Sequence, residues 1–415
     1  MRQGEWLKNI DIYRIFWIVL CALLVIVLFH SLNRFFDHDE LEAIHTSWKM
    51  LQGEKIYVDF LQHHHPLLYY LLIPVIGKLG ENIQTIITIR LLIFVMLLLI
   101  LFVSYLLAKN IFNREIGIIS LLLLSTTVIF VLKAIEIRPN VPETFFALSS
   151  IFFLFFYFKK RGLLYLVLSA FSLGIAFLFF QLALFLIIFI GCFLLFDVYK
   201  RLAPFRDLLL YFSVFLLVLL PYGIYLFYTN SFNSYFQLNW ILNMKFLGRF
   251  APFNGLLMLS ERSTVLCIFY LVGLIFFMKK SNQIRLGVFS FGLLLSVFLV
   301  RTPWPQYFML AIPLIAITSA HAIHSVFKNN KALLFAFLIF SIGFQLPWLA
   351  QGARNSNGEQ LKKIQYVLSI TRTNDFVYDG DMQFNVYRKD IDFFWYSIDP
   401  LMGTLGTFQT MSHYK

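Results

Sequence analysis

Residues 84–107 read QTIITIRLLIFVMLLLILFVSYLL. A single charge, Arg90, interrupts a run long enough to cross a hydrocarbon core as a helix, which takes about 20 apolar residues. Comparable blocks lie near 12–32, 67–79, 116–132, 142–158, 162–178, 180–197, 207–228, 259–278, 286–300, 306–325 and 332–349. Lipid offers no partner to free backbone groups, so spans are helices or closed barrels. These blocks are too long and unbroken for barrel strands. The fold class that follows is an all-α polytopic membrane protein.

Composition agrees. The 415 residues are 60% hydrophobic and 13% charged, where a soluble domain carries about a quarter charged, and mean hydropathy is +0.76. The net charge of +12 fits basic residues flanking helices on the cytoplasmic side. No aromatic-basic groove of nucleic-acid type accompanies it. Cys21, Cys192 and Cys267 all lie inside apolar blocks, where neither a structural disulfide nor a metal cluster is expected. The first block follows Arg2, Lys8 and Arg14 and lacks a small-x-small cleavage site, so it reads as a membrane anchor.

Block 67–79 is short and contains Pro74, which suits an interfacial or re-entrant segment. Charge decides the matter. If it does not cross, the loops with Lys109/Arg114, Lys159–Arg161, Lys200/Arg201/Arg206, Lys279/Lys280/Arg285 and Lys328/Lys331 share the N-terminal side, as the positive-inside rule asks. About 11 spans are therefore expected, N-terminus cytoplasmic and C-terminus outside, in what reads as a bacterial inner membrane. Residues 33–83 become one long outer loop of a membrane module covering 1–350. Residues 351–415 are polar, with alternating stretches at Phe376–Asp379 and Phe384–Arg388, and predict a small outer α/β domain with some strand.

Unusual chemistry collects in the outer loops. Asp39 and Glu40 open a helical pattern in which Leu41, Ile44, Trp48 and Leu51 share one face and Glu42, Thr46 and Lys49 another. Gln52-Gly53 is a plausible stop. This predicts an amphipathic helix on the membrane surface with carboxylates at its positive end. His63, His64 and His65 follow. Adjacent side chains cannot all face one ion, so the tract reads as groups that hydrogen-bond phosphate or sugar or pack at the interface, with a divalent metal shared with Asp39 or His45 the alternative; no other cofactor is expected. Glu136-Ile137-Arg138-Pro139-Asn140 forms a Pro-bracketed turn whose arginine fork suits phosphate. Arg301-Thr302-Pro303-Trp304-Pro305-Gln306-Tyr307 is a rigid, aromatic, cationic turn. Arg90, Lys245 and Arg249 read as weaker phosphate ligands or headgroup anchors.

The order Asp39-Glu40, Gly53, Tyr57-Val58-Asp59-Phe60, then His65-Pro66-Leu67-Leu68-Tyr69-Tyr70 resembles the first outer loop of GT-C glycosyltransferases. The bacterial protein O-mannosyltransferase-like enzymes and the lipid A aminoarabinose transferases are the members it is most similar to. Ile137–Asn140 resembles their second outer motif, Pro305-Gln306-Tyr307-Phe308 with Pro313 their late aromatic-proline span, and Asp375–Arg388 with Phe393-Phe394-Trp395 the outer domain of shorter members.

The resemblance implies a helical bundle that takes sugar from a polyprenyl-phosphate donor and passes it, with inversion, to an acceptor hydroxyl on a lipid, glycan or protein. Asp39 is then the catalytic base and Glu40 its partner. Arg138, His65 and Arg301 hold the donor phosphate, and His64, Glu136, Asn140, Gln306 and Tyr307 line the substrate site. The chain departs from the pattern at Asn140, where the motif often carries Asp and Glu136 or Glu143 would substitute. It also departs at His65, where a Lys sometimes stands, and at Gln181, near which a basic residue is often found.

The rival readings are another lipid-linked glycan enzyme, a ligase or polymerase, which should lack the acidic pair, and a transporter. A transporter predicts ionisable groups at the midplane and broken repeated helices, whereas here polar groups crowd one face.

Overall fold

The computed structural model describes residues 12–245, 252–300, 304–352, 356–379 and 384–390. Its helices, in chain order, are α1 (Ile12–Asn33), α2 (His38–Leu51), α3 (Leu67–Leu79), α4 (Ile83–Ile111), α5 (Arg114–Thr126), α6 (Val128–Ala134), α7 (Asn140–Lys160), α8 (Leu163–Phe179) and α9 (Ala183–Tyr199). They continue with α10 (Phe205–Tyr228), α11 (Phe232–Phe236), α12 (Leu242–Lys245), α13 (Pro252–Arg262), α14 (Thr264–Val272), α15 (Ser281–Val297), α16 (Ile312–Phe327), α17 (Lys331–Gly352) and α18 (Gly358–Ile370). Among the described residues, five helices are long and apolar enough to cross a bilayer, or six if α5 and α6 are one bent span. Several shorter apolar helices, including α8, α9 and α16, complete the bundle. Length and composition thus qualify fewer spans than the 11 expected from apolar blocks.

One expected span is broken. Block 116–132 bends by 75° between α5 and α6. The break falls at Thr127, whose backbone is extended at φ −68° and ψ 105°; there the hydroxyls of Thr126 and Thr127 donate back to the carbonyls of Leu122 and Leu123 at 2.9 and 2.8 Å, bonds that compete with the helix ladder. The bend aims Lys133 and the 135–139 turn at α2.

The bundle has two chemically distinct ends. At one, Arg161 and Arg285 both reach Asp197, at 3.1 and 2.5 Å, Lys159 reaches Asn110, and His324 reaches Glu115. These are the basic loops that the charge pattern grouped together. At the other end α2 meets the 135–139 turn, and the loop at 63–65 meets Gln181 and Asn243. Both ends of α3 lie here, because Glu81, just beyond it, accepts from Trp48 Nε1 of α2 at 2.8 Å. The short block therefore does not cross.

Helix α2 forms where the pattern predicts. Asp37 caps it, with Glu40 closing a capping box, which satisfies N–H groups that the helix start would leave unpaired. Gly53, at φ 95°, takes the left-handed turn that follows it. The helix does not lie on an open surface, however: Glu40 to Lys49 are all buried. The loop after it covers one polar flank, with Gln62 Nε2 donating to Thr46 at 3.0 Å. The C-terminal segment covers the other, where Asp390 binds His45 Nε2 at 2.8 Å and Lys49 at 2.7 Å.

That segment consists, among the described residues, of α18 and extended peptide with one isolated bridge, Phe376 to Lys389. Among those described residues no strand forms, and helix plus extended chain stand where some strand was expected. Phe393-Phe394-Trp395 lie outside the described residues. Arg388 anchors the segment through Glu81 at 3.1 Å and Thr371 Oγ1 at 2.7 Å.

Burial would raise the Asp390 carboxyl, but His45 and Lys49 outweigh it and hold the group below its ordinary value of 3.8. Its contribution to stability is therefore present above that ordinary value and lost as pH falls through the lowered one. Asp390→Ala should destabilise the protein by about 3 kcal/mol, because it strands two buried partners. Thermal melting of the detergent-solubilised protein checks this, and the variant should also lose part of the wild-type sensitivity to acid.

Candidate active site

The site grows from one carboxylate that faces no cavity. Glu40 accepts from Arg90 Nη2 and Nε at 2.6 and 3.0 Å, from the backbone N–H of Asp37 at 3.0 Å and from that of Ile137 at 3.1 Å. Arg90 spends its remaining donors on the carbonyls of Ser31, Arg34 and Phe35 and lies 3.6 Å over the Phe36 ring. Both side chains are buried. The pair joins the end of α1, the start of α2, α4 and the second loop. Glu40, expected as the partner of the catalytic base, is thus occupied by Arg90 and backbone N–H groups away from the cavity, and Arg90, expected at the headgroup level, is buried with it.

Held this way, Asp39 and Arg138 meet. Arg138 binds Asp39, Asp37 at 2.9 Å and Glu136 at 2.6 Å. Glu136 also receives Lys133 at 2.9 Å and Arg34 at 2.9 Å. Burial pushes the Glu136 carboxyl up, but Lys133, Arg138 and Arg34 overcome that and bring it to about 2. It stands behind Arg138 and does not line the cavity. Asp39 is ion-paired on both oxygens, through Arg138 and through His38 Nε2 at 2.9 Å. The hydrogen bond to Asp39 raises His38 to about 9, although burial opposes it, so its ring is charged at neutral pH.

These groups form the polar wall of a cavity of about 760 Å³. Asp37, His38, Asp39, Glu42, His63, His64, Lys133, Arg138 and Asn140 line that side, with Gln181, Asn239, Asn243, Gln306 and Tyr307. Phe180, Leu182, Phe185, Trp240, Leu299, Val300 and Trp304 add apolar lining. The expected residues Asp39, Arg138, His64, Asn140, Gln306 and Tyr307 are therefore brought together.

His65 is not. Its Nδ1 donates to the Phe177 carbonyl at 2.5 Å and its Nε2 accepts from Tyr235 at 3.2 Å, while burial lowers the ring to about 4. A neutral ring with both nitrogens engaged, off the cavity, has nothing left for phosphate. Arg301 and Arg249 lie outside the described residues. Asp37, His38 and Asp39 offer ligand atoms within 4.8 Å of one another, but their own salt bridges already neutralise them.

Sequence reasoning gave no role to His38, Lys133, Asn239 or Asn243, and placed Glu42 on a solvated face. Glu42 lies one turn after Asp39, on the same side of α2. Asn239 and Asn243 are likewise one turn apart, on a π-helical stretch and α12; π turns recur at functional sites. Their amides donate to the carbonyls of His64 and His63 at 3.1 and 2.8 Å. Tyr57, at φ 69°, adds its hydroxyl to the His64 carbonyl at 2.6 Å. The spacing was legible in each case, but the partners were not.

A family model described as dolichyl-phosphate-mannose-protein mannosyltransferase matches residues 64–225. The structure superposes on ArnT from Cupriavidus metallidurans, solved bound to undecaprenyl phosphate, with TM-score 0.72 and 13% identity over 94% of this chain and 88% of that one. The chain has the GT-C fold. This GT-C bundle also matches the Archaeoglobus fulgidus oligosaccharyltransferase, with TM-score 0.63 and 13% identity over 89% of this chain and 59% of that one. A mycobacterial arabinofuranosyltransferase, AftD, matches with TM-score 0.52 and 14% identity over 88% of this chain and 29% of that one. No curated protein matches the sequence.

The geometry makes Glu40 and Arg90 a folding pair. Glu40→Gln or Arg90→Met should each cost about 3–5 kcal/mol, the penalty for stranding a buried charge. The expected outcome is a lower melting temperature and a poor yield of monodisperse protein, checked by fluorescence-detected size-exclusion chromatography.

Proposed function

We propose that this GT-C protein is a glycosyltransferase that takes a sugar from a polyprenyl-phosphate carrier and passes it to an acceptor hydroxyl on the non-cytosolic face. The observation that carries this reading is the meeting of Asp39 and Arg138, 99 residues apart in sequence, in a cavity lined by both charged and large apolar side chains. A lipid-linked phosphate needs both: an oily wall for its chain and cations for its head. The solved relative bound to undecaprenyl phosphate and the family description naming a dolichyl-phosphate sugar support the same donor class. The positive-inside rule supports the outer face, since the basic loops gather at the opposite end of the bundle.

In this reading the anomeric carbon bonds to the acceptor oxygen as its bond to the phosphate oxygen breaks, and the electron pair leaves with the lipid phosphate. The departing phosphate gains negative charge. Lys133, Arg138 and His38 stand where that charge develops, which is how fixed cations accelerate such a step. Arg138 is held by three carboxylates, so phosphate can displace Asp37 while Asp39 and Glu136 keep the guanidinium in place. A carboxylate on the wall receives the acceptor proton, and the sequence resemblance assigns this to Asp39. Attack opposite the leaving group inverts the anomeric carbon.

Incubating the purified protein with labelled undecaprenyl-phosphate hexoses and pentoses tests the reaction. Release of undecaprenyl phosphate with transfer or hydrolysis of the sugar is expected, and no turnover with any such donor would refute it. Asp39→Asn should lower kcat/KM with folding unchanged, because it removes a shared partner of Arg138 and His38. Arg138→Lys keeps the charge but loses the fork, and should raise the donor KM about tenfold.

A further inference from the structure

Glu42 was read from sequence as part of a polar helix face, and nothing in the reaction just described uses it. The structure buries it, leaving 4% exposed, in the wall of the charged cavity. It sits one turn beyond Asp39 on α2. Gln62 Nε2 and Thr46 Oγ1 both donate to its Oε1. Its Oε2 makes no hydrogen bond to any described residue. Beside it, Asp39 has both oxygens engaged by cations. The acceptor proton passes most readily to a carboxylate oxygen that no cation holds, and of the two carboxylates Glu42 is the one with such an oxygen.

We propose that Glu42, through Oε2, is the group that takes the acceptor proton, and that Asp39 acts as a positioning residue for Arg138 and His38. This rests on the sugar-transfer reading above. The acceptor O–H proton passes to Glu42 Oε2, the oxygen bonds to the anomeric carbon, and the lipid phosphate leaves with the electrons of the broken bond. Gln62 and Thr46 fix the carboxyl from behind, so its free oxygen is held in one orientation.

The electrostatics agree with this division. Burial, reinforced by the charge of Asp39, lifts Glu42 to about 8. A base that titrates near working pH is the efficient one. The other titratable groups facing Glu42 are His38 and Asp39 on its own helix and Tyr69 on α3. Tyr69 is raised well above its ordinary range by burial and stays a neutral phenol. His38, at about 9, loses its charge last. Turnover should therefore rise with pH as Glu42 ionises near 8 and fall again as His38 deprotonates near 9.

The test follows turnover of undecaprenyl-phosphate sugars, hydrolysis included, from pH 6 to about 10, bracketing both limbs. Glu42→Gln should lower kcat about 100-fold or more and abolish the rising limb, while undecaprenyl phosphate still binds. Asp39→Asn should instead move that limb to lower pH, because it removes a charge that raises Glu42, and should raise KM. Gln62→Leu removes a hydrogen bond that favours the charged carboxylate and should move the limb upward. This shift decides the matter if Glu42→Gln does not fold. Near-normal kcat in Glu42→Gln, or a rising limb that disappears in Asp39→Asn and ignores Gln62→Leu, would overturn the role given to Glu42. An inactive wild-type protein would instead overturn the transfer reading itself.

Discussion

Everything at the charged end of this bundle depends on where Glu40 is buried. A carboxylate removed from water must be matched by cations and N–H donors, or it is too costly to ionise. Here Arg90 supplies two bonds and the backbone of Asp37 and Ile137 the others. Because those donors come from α4, the cap of α2 and the second loop, satisfying one group locks three segments together. Arg90 then closes the end of α1 by taking its last carbonyls. A helix crossing lipid needs no such clamp for its own backbone, but two loops that must share a cavity do.

The clamp has a chemical consequence. It brings the 135–139 turn against the start of α2, so that Arg138 stands among Asp37, Asp39 and Glu136. The guanidinium is thereby pre-positioned without being exhausted as a binding group, since the partly exposed Asp37 can yield to a phosphate while Asp39 and the buried Glu136 remain. The same crowding distinguishes the carboxylates. Asp37 and Asp39 face cations, Glu136 is held ionised by three of them, and Glu42 has only hydrogen-bonding neighbours at its fixed oxygen. One helical turn separates Asp39 from Glu42, yet their surroundings give them different chemistry.

The loops and the C-terminal segment explain why this end is rigid. Gln181, Asn239 and Asn243 come from three different elements and all donate to the carbonyls of His63 and His64. The histidine tract thus serves through its backbone as much as through its rings. The segment around Asp390 seals the far flank of α2, turning what looks amphipathic into a helix buried on all sides.

The sequence alone determined the membrane class, the helical content and the segregation of basic loops from chemistry-bearing ones, because hydrophobic length and charge asymmetry are properties of composition along the chain. It also located α2 and its stop, which depend on near neighbours. It singled out Asp39, Arg138, His64, Asn140, Gln306 and Tyr307, which do share one cavity. It could not separate Glu40 from Asp39, expose the bend at Thr127, or see that His65 is committed to Phe177 and Tyr235 and that Glu42 lies against the cavity. Each of those depends on which distant group supplies the hydrogen bond or counter-charge, and such pairings across scores of residues are decided only when the helices pack.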